Sequence, residues 1–247
     1  MEIIFLGTNG WYDTKIGNTT CILVQLPNYD IILDAGNGFV KIGKYLSFSK
    51  PVYLFLSHFH LDHIIGLHTL VKFNFKKGLH IVGPKGLKKM LNIFVQKPFT
   101  FPFSKLSYPT KVSEVAEGDY KLPIPFECRK LTHPVTTFGF RFNLDNKIIA
   151  YCTDTGYCKN AVKLALNSDL LIAECAYKRG QTVSQWPHLN PDAAARLARE
   201  ANTQKLVLIH FDADNYPTTE SRKQAEKQAK ETFANTVTAV DDMKITE

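Results

Sequence analysis

Short apolar runs separated by polar turns recur along the chain, and their lengths suit strands rather than helices. Glu2-Ile3-Ile4-Phe5-Leu6 opens the series, and Thr20 to Leu26 and Asp30 to Asp34 follow, parted by Pro27-Asn28-Tyr29. Strands are predicted at all three, and again near 52 to 56 and 79 to 82. In the second half Lys147 to Cys152, Asp169 to Ala173 and Leu206 to Ile209 read as strands, each running into a polar or histidine residue. Pro191 to Ala201 predicts a helix: Asn190 is placed to cap it, Pro191 suits its first turn, and its body is rich in alanine. Thr219 to Phe233, rich in Lys, Gln and Glu, predicts an exposed amphipathic helix. Strands followed by helices in each half suggest sheets packed face to face with helices outside. No linker divides the chain, so residues 1 to 247 are expected to form one α/β domain.

Composition then removes several classes. A hydrophobic content of 45% over 247 residues supports a buried core and argues against disorder. The longest apolar runs fall well short of the roughly 18 residues a membrane span needs, so no transmembrane helix is expected. Met1 leads straight into strand-like sequence without the features of a secretory leader, and a cytoplasmic location is expected. Five cysteines, scattered and without a CxxC pair, read as reduced and mostly buried. A net charge of +7 favours acidic substrates or nucleic acid and says nothing about fold.

The segment Ser57-His58-Phe59-His60-Leu61-Asp62-His63, directly after the apolar run ending at Leu56, carries the chemistry. In an extended segment His58 and His60 project to one side and can reach one ion, while the turn beyond Leu61 presents Asp62 and His63 to a second position. Nitrogen and carboxylate donors suit zinc, and manganese or iron is also compatible. For a chain of this composition the pattern HxHxDH arises by chance roughly four times in ten thousand. Metal-ligand candidates elsewhere are His133 in Leu131-Thr132-His133-Pro134, Asp154 in Cys152-Thr153-Asp154-Thr155-Gly156, and His210 closing Leu206 to His210. Singly, such residues are usually structural; their order is what counts. His68 and His80 fall outside that order and read as structural. Ser57 lacks a triad, which disfavours a serine nucleophile.

HxHxDH followed by His, Asp and His resembles the metallo-β-lactamase superfamily, from Leu6-Gly7-Thr8 and Asp34-Ala35-Gly36 through His210. The resemblance implies a four-layer αββα sandwich and two divalent metal ions. It implies that His58, His60 and His133 hold one metal, that Asp62, His63 and His210 hold the other, and that Asp154 bridges them. Leu6-Gly7-Thr8, Asn18-Thr19-Thr20, Gly83-Pro84-Lys85-Gly86 and Ile172-Ala173-Glu174, with His188 and Leu208-Ile209-His210-Phe211, are similar to the branch containing RNase Z and small phosphodiesterases. In that branch a Glu and a His at the positions of Glu174 and His188 help move a proton to the leaving group. The alternative for this chain is an ordinary strand-end carboxylate and a helix-entry histidine.

The chain also departs from RNase Z. Only 20 residues separate His133 from Asp154, which leaves no room for the projecting arm that holds tRNA. Glu174-Cys175-Ala176 lacks the usual threonine, Leu189 follows His188, and Asp212 replaces a serine. The expected activity is therefore phosphodiester hydrolysis by a metal-bridging hydroxide, on a small cyclic or linear anionic substrate, a nucleotide or an RNA end. Asp62, Glu174 and His188 are the expected catalytic groups. Alternatives are thioester, lactone or aryl-sulfate hydrolysis on the same centre, or a nucleic-acid-binding protein or tRNA 3′-processing nuclease. Lys76, Lys77, Lys85, Lys88 and Lys89 offer phosphate contacts or simply a solvated face. Phe94, Phe99, Phe101, Phe103 and Tyr108, broken by prolines, could form a lid, a homodimer contact, a base-stacking surface or core packing.

Overall fold

A computed structural model describes residues 1–121 and 124–246. Two seven-stranded sheets form the centre. One runs in the order Met243–Thr246, Glu2–Gly7, Cys21–Gln25, Asp30–Leu33, Val52–Phe55, Leu79–Pro84, Thr110–Val115. The other runs Thr236–Thr238, Lys205–Ile209, Leu170–Glu174, Lys147–Cys152, Phe138–Leu144, Phe126–Lys130, Gly118–Tyr120. Alternate side chains of each strand enter different cores. Ile3, Phe5, Phe55, Tyr151, Ile172 and Val207 meet between the sheets. Ile4, Leu6 and Leu54 pack instead beneath Phe39, Ile42, Leu67 and Leu91, and Ala150, Leu171 and Leu208 beneath Leu164, Leu197 and Ala225. Strands buried on both faces need apolar residues at consecutive positions, which is why they stood out as unbroken runs. The result is the expected αββα sandwich.

Every predicted strand is present, with ends displaced by a residue or two. Pro191–Glu200 is helical, and the Asn190 side chain accepts a hydrogen bond from the Ala193 amide as its cap. Thr219–Lys230 is also helical, though less exposed than expected, since Arg222, Ala225 and Ala229 are buried. The strands not anticipated are mainly polar or marginal: Thr110–Val115 is mostly exposed at a sheet edge. Phe138–Leu144 is different, because its alternation of Phe138, Phe140, Phe142 and Leu144 into the inter-sheet core is a clear strand signal. A two-residue turn at Asp145 and Asn146, both with positive φ, joins it to Lys147–Cys152. That hairpin occupies most of the interval between His133 and Asp154. No helix among the described residues is long and apolar enough to cross a membrane.

The four strands Asp30–Leu33, Val52–Phe55, Leu79–Pro84 and Thr110–Val115 are mutually parallel, as are Lys147–Cys152, Leu170–Glu174, Lys205–Ile209 and Thr236–Thr238. Parallel strands bring their C-terminal ends to one edge, where open α/β sheets bind ligands. Asp34, Ser57, Asp154, Glu174 and His210 all lie at such ends.

Candidate metal centre

At that edge all seven sequence-predicted metal ligands converge. Donor atoms of His58, His60, His133 and Asp154 lie within 4.8 Å of one another, and so do those of Asp62, His63 and His210. Asp154 faces both groups. Its Oδ2 is 3.6 Å from His58 Nε2 and 3.8 Å from His133 Nε2, while its Oδ1 is 3.0 Å from His63 Nε2 and 3.1 Å from His210 Nε2. In the first group His60 Nδ1 and His133 Nε2 are 3.3 Å apart. In the second, Asp62 Oδ2 lies 3.5 Å from His63 Nε2 and 3.2 Å from His210 Nε2. Ligands about 2.0 to 2.2 Å from a tetrahedral zinc ion stand roughly 3.3 to 3.6 Å from each other, so this spacing fits a metal.

Local structure explains the convergence. His60 precedes the one-turn helix Leu61–Ile64, which turns Asp62 and His63 back toward the strand ends. Asp34, Asp154 and His210 have φ of 56°, 46° and 52°. This left-handed conformation is uncommon for residues with a Cβ and concentrates at functional sites. The isolated bridge between Thr132 and Gly156, with the Gly156 amide donating to the Thr132 carbonyl at 2.9 Å, ties the His133 loop to the Asp154 loop.

Outside these residues, Asp34 organises the imidazoles. Its Oδ2 accepts from Ser57 Oγ at 2.8 Å, Tyr151 OH at 2.6 Å and His63 Nδ1 at 2.8 Å. Its Oδ1 accepts from the Ser57 amide at 2.7 Å. Because the Ser57 hydroxyl donates to Asp34, it can only accept from His58 Nδ1, 3.0 Å away. That fixes the proton on Nδ1 of His58 and leaves Nε2 as a bare lone pair. Among the described residues His58 Nε2 is buried with no hydrogen-bond partner, a costly state for a polar atom that a cation would relieve.

Burial pushes His58 well below the usual histidine range, with the neighbouring His63 adding to it; it also lowers His60 and takes His133 down to about 4. These imidazoles are neutral at neutral pH, as ligation requires. Burial opposes ionisation of Asp62 and Asp154, but the surrounding imidazoles prevail and hold both carboxyls well below their ordinary range. For His63 and His210 burial likewise opposes the charged form, and the Asp154 and Asp62 carboxylates outweigh it and raise both. Two carboxylates and five imidazoles brought this close together are able to hold a cation.

Glu174 and His188 also meet. Glu174 is fully buried, and its Oε1 accepts from His188 Nδ1 and the Thr155 amide, each at 2.6 Å. The His188 ring stacks 5.7 Å from that of His210. Burial disfavours the imidazolium of His188, yet the Glu174 carboxylate raises it to about 9.

A cleft of about 790 Å³ opens over the centre, lined by His60, Asp62, Asp154, His188 and His210 together with Trp11 and Trp186. Residues 94 to 109 do not line it: Phe94, Phe103 and Tyr108 pack on the helix-side core, while Phe99 and Phe101 stay exposed. The five lysines are exposed. Of them Lys85 lines a small recess beside His60, and the adjacent helix start, at Gly86 and Lys88, is already occupied by the Glu114 carboxylate. His80 bonds Ser113 and His68 bonds the Ile65 carbonyl, away from the centre. All five cysteines are free and four are buried. Sequence reasoning dismissed Ser57 as a nucleophile without seeing it as a support, and attached no role to Tyr151, Trp11 or Trp186. No spacing rule links these positions; only their rarity marked the two tryptophans.

The sequence matches the family described as a beta-lactamase superfamily domain over residues 29–211. Ribonuclease Z of Nostoc punctiforme is 28% identical over 309 residues, covering 98% of this chain and 95% of that protein. The crystal structure of the metallo-beta-lactamase fold protein YhfI from Bacillus subtilis matches with a TM-score of 0.80 at 24% identity, covering 99% of this chain and 98% of that one. A diphosphatase of the PhnP family matches with a TM-score of 0.75 at 15% identity, covering 100% and 97%.

Proposed function

This chain belongs to the beta-lactamase superfamily of metallo-hydrolases, and from that premise we infer that it is a binuclear phosphodiesterase acting on small phosphodiesters. The observation that carries the two-metal reading is Asp154, whose two oxygens face separate histidine groups. His58, His60 and His133 would hold one divalent ion and Asp62, His63 and His210 the other, with Asp154 shared. Zinc suits these donors best, with manganese or iron also accommodated. When bound, such a pair lowers the pKa of water towards 7 and neutralises phosphoryl charge. We take residues 1 to 247 as one catalytic domain.

The chain's own residues supply the remaining chemistry. Asp62, ionised at neutral pH and held by the Trp11 amide at 2.8 Å, is placed to orient the attacking water or to accept its proton. His188, kept protonated by Glu174, is the donor to the departing oxygen. Such transfer is worth about 10² to 10⁴ in rate. The RNase Z and PhnP-family likenesses support phosphorus over carbon as the centre attacked. The short hairpin between His133 and Asp154 supports a small substrate over tRNA.

A second reading, hydrolysis of a neutral thioester or lactone on the same centre, draws on the cleft's lining, which includes no Lys or Arg among the described residues. The zinc- or manganese-loaded protein should turn over bis(p-nitrophenyl) phosphate and 2′,3′-cyclic nucleotides. Inactivity on both, with turnover of a thioester, a lactone or p-nitrophenyl sulfate, would reject the phosphodiesterase reading.

A further inference from the structure

The chain has two tryptophans, and both line the cleft. Trp186 is 48% exposed, with its ring 5.2 Å from that of His60 and nearly parallel to it at 12°. Trp11 is 70% exposed, and its backbone sits at φ 69°, where a residue with a Cβ is uncommon. Its amide donates to Asp62 Oδ2 at 2.8 Å, which anchors its backbone beside the candidate metal-binding cluster. Large apolar rings left in water at a cleft mouth contribute little to the fold. Tyr177, Val183 and Leu61 extend the apolar part of the lining, Asp212 and Asp214 add carboxylates at its rim, and no Lys or Arg joins it among the described residues. A polynucleotide strand needs cations along its track; this cleft offers flat hydrophobic faces instead, which favour a ring.

We propose that Trp11 and Trp186 form the specificity wall of the site and bind a flat aromatic ring, of a nucleobase or an aryl group, on the non-leaving side of a small phosphodiester. The proposal rests on the phosphodiesterase reading. Three substrates with a common p-nitrophenolate leaving group test it on the metal-loaded protein: methyl, phenyl and thymidine 5′ esters of p-nitrophenyl phosphate. The ring-bearing esters should show a KM at least about tenfold below that of the methyl ester, the scale of a single stacking contact. Trp186→Ala, and Trp11→Gly, which suits the positive φ, should bring that ratio close to one. Preference for thymidine over phenyl identifies a nucleobase, and the reverse an aryl group. Equal KM values for all three in the wild type, or a ratio unchanged in both variants, would overturn the wall.

If none of the three is hydrolysed, binding still decides the wall. With both tryptophans in the cleft, tryptophan fluorescence excited beyond the tyrosine absorption band reports on it. Quenching by thymidine monophosphate or phenyl phosphate but not by ribose 5-phosphate upholds the wall, and no quenching by either ring-bearing ligand rejects it.

Discussion

Nδ1 of His63 lies 2.8 Å from Oδ2 of Asp34, and both side chains are fully buried. This contact directs His63 Nε2 toward Asp154 and His210, and through Ser57 the same carboxylate sets the tautomer of His58. One residue outside the candidate metal-binding set therefore orients a candidate ligand of each group. Such supports typically contribute 10- to 100-fold in metal affinity.

Asp34→Ala is expected to weaken zinc binding by about that factor, measured by chelator competition. It also leaves the Tyr151 hydroxyl and the Ser57 amide without their acceptor, at a cost of about 2 to 4 kcal/mol in chemical denaturation. Unchanged zinc affinity in a folded variant would show that the imidazoles need no such support.

His188→Ala should retain its metal by elemental analysis while kcat falls by about 10² to 10⁴. The acid must be protonated to act, so wild-type kcat should decline as pH rises through the raised pKa of His188, near 9 without metal. Glu174→Gln removes the charge that raises it and should shift that decline to lower pH. Coincident kcat–pH profiles for wild type and Glu174→Gln would remove the proton-donor role.

Gly10 packs against His210 so closely that an added Cβ would sit 2.5 Å from its Cε1 and 2.8 Å from its Nδ1. Gly10→Ala should displace the imidazole, costing about 1 to 3 kcal/mol from overpacking and lowering bound metal. Full metal occupancy with wild-type turnover would mean that the ring can give way.

Asp169 accepts from the Ile148 amide at 2.8 Å and Lys147 Nζ at 3.1 Å, and these donors hold its carboxyl below the ordinary value. A depressed pKa in the fold contributes stability above the ordinary carboxylate value of about 4, and that stability is lost as pH falls through the folded value. Asp169→Asn should therefore cost about 1 kcal/mol at pH 7, with the difference from wild type shrinking toward pH 3. A constant difference in urea denaturation across that range would contradict the linkage.

The core strands and the candidate ligand set were legible in the chain for local reasons. Strands buried on both faces must be apolar at consecutive positions, and a metal needs His and Asp at close spacing, so Val52–Phe55 and the segment His58 to His63 declare themselves within a few residues. His133, Asp154 and His210 carried no such local signal and were found by their order. The edge strand Thr110–Val115 went unread because exposure relaxes the demand for apolar residues.

Tertiary structure alone decided the rest. That Asp154 presents one oxygen to each histidine group depends on loops at the ends of two different sheets. That Asp34 supports His63, and that Glu174 holds His188, depends on contacts across 29 and 14 residues of chain. Trp11 and Trp186, 175 positions apart, share one cleft only because the fold closes it around them. Composition and spacing constrain what a residue can do, while distance and orientation, which fix its partners, arise when the chain packs.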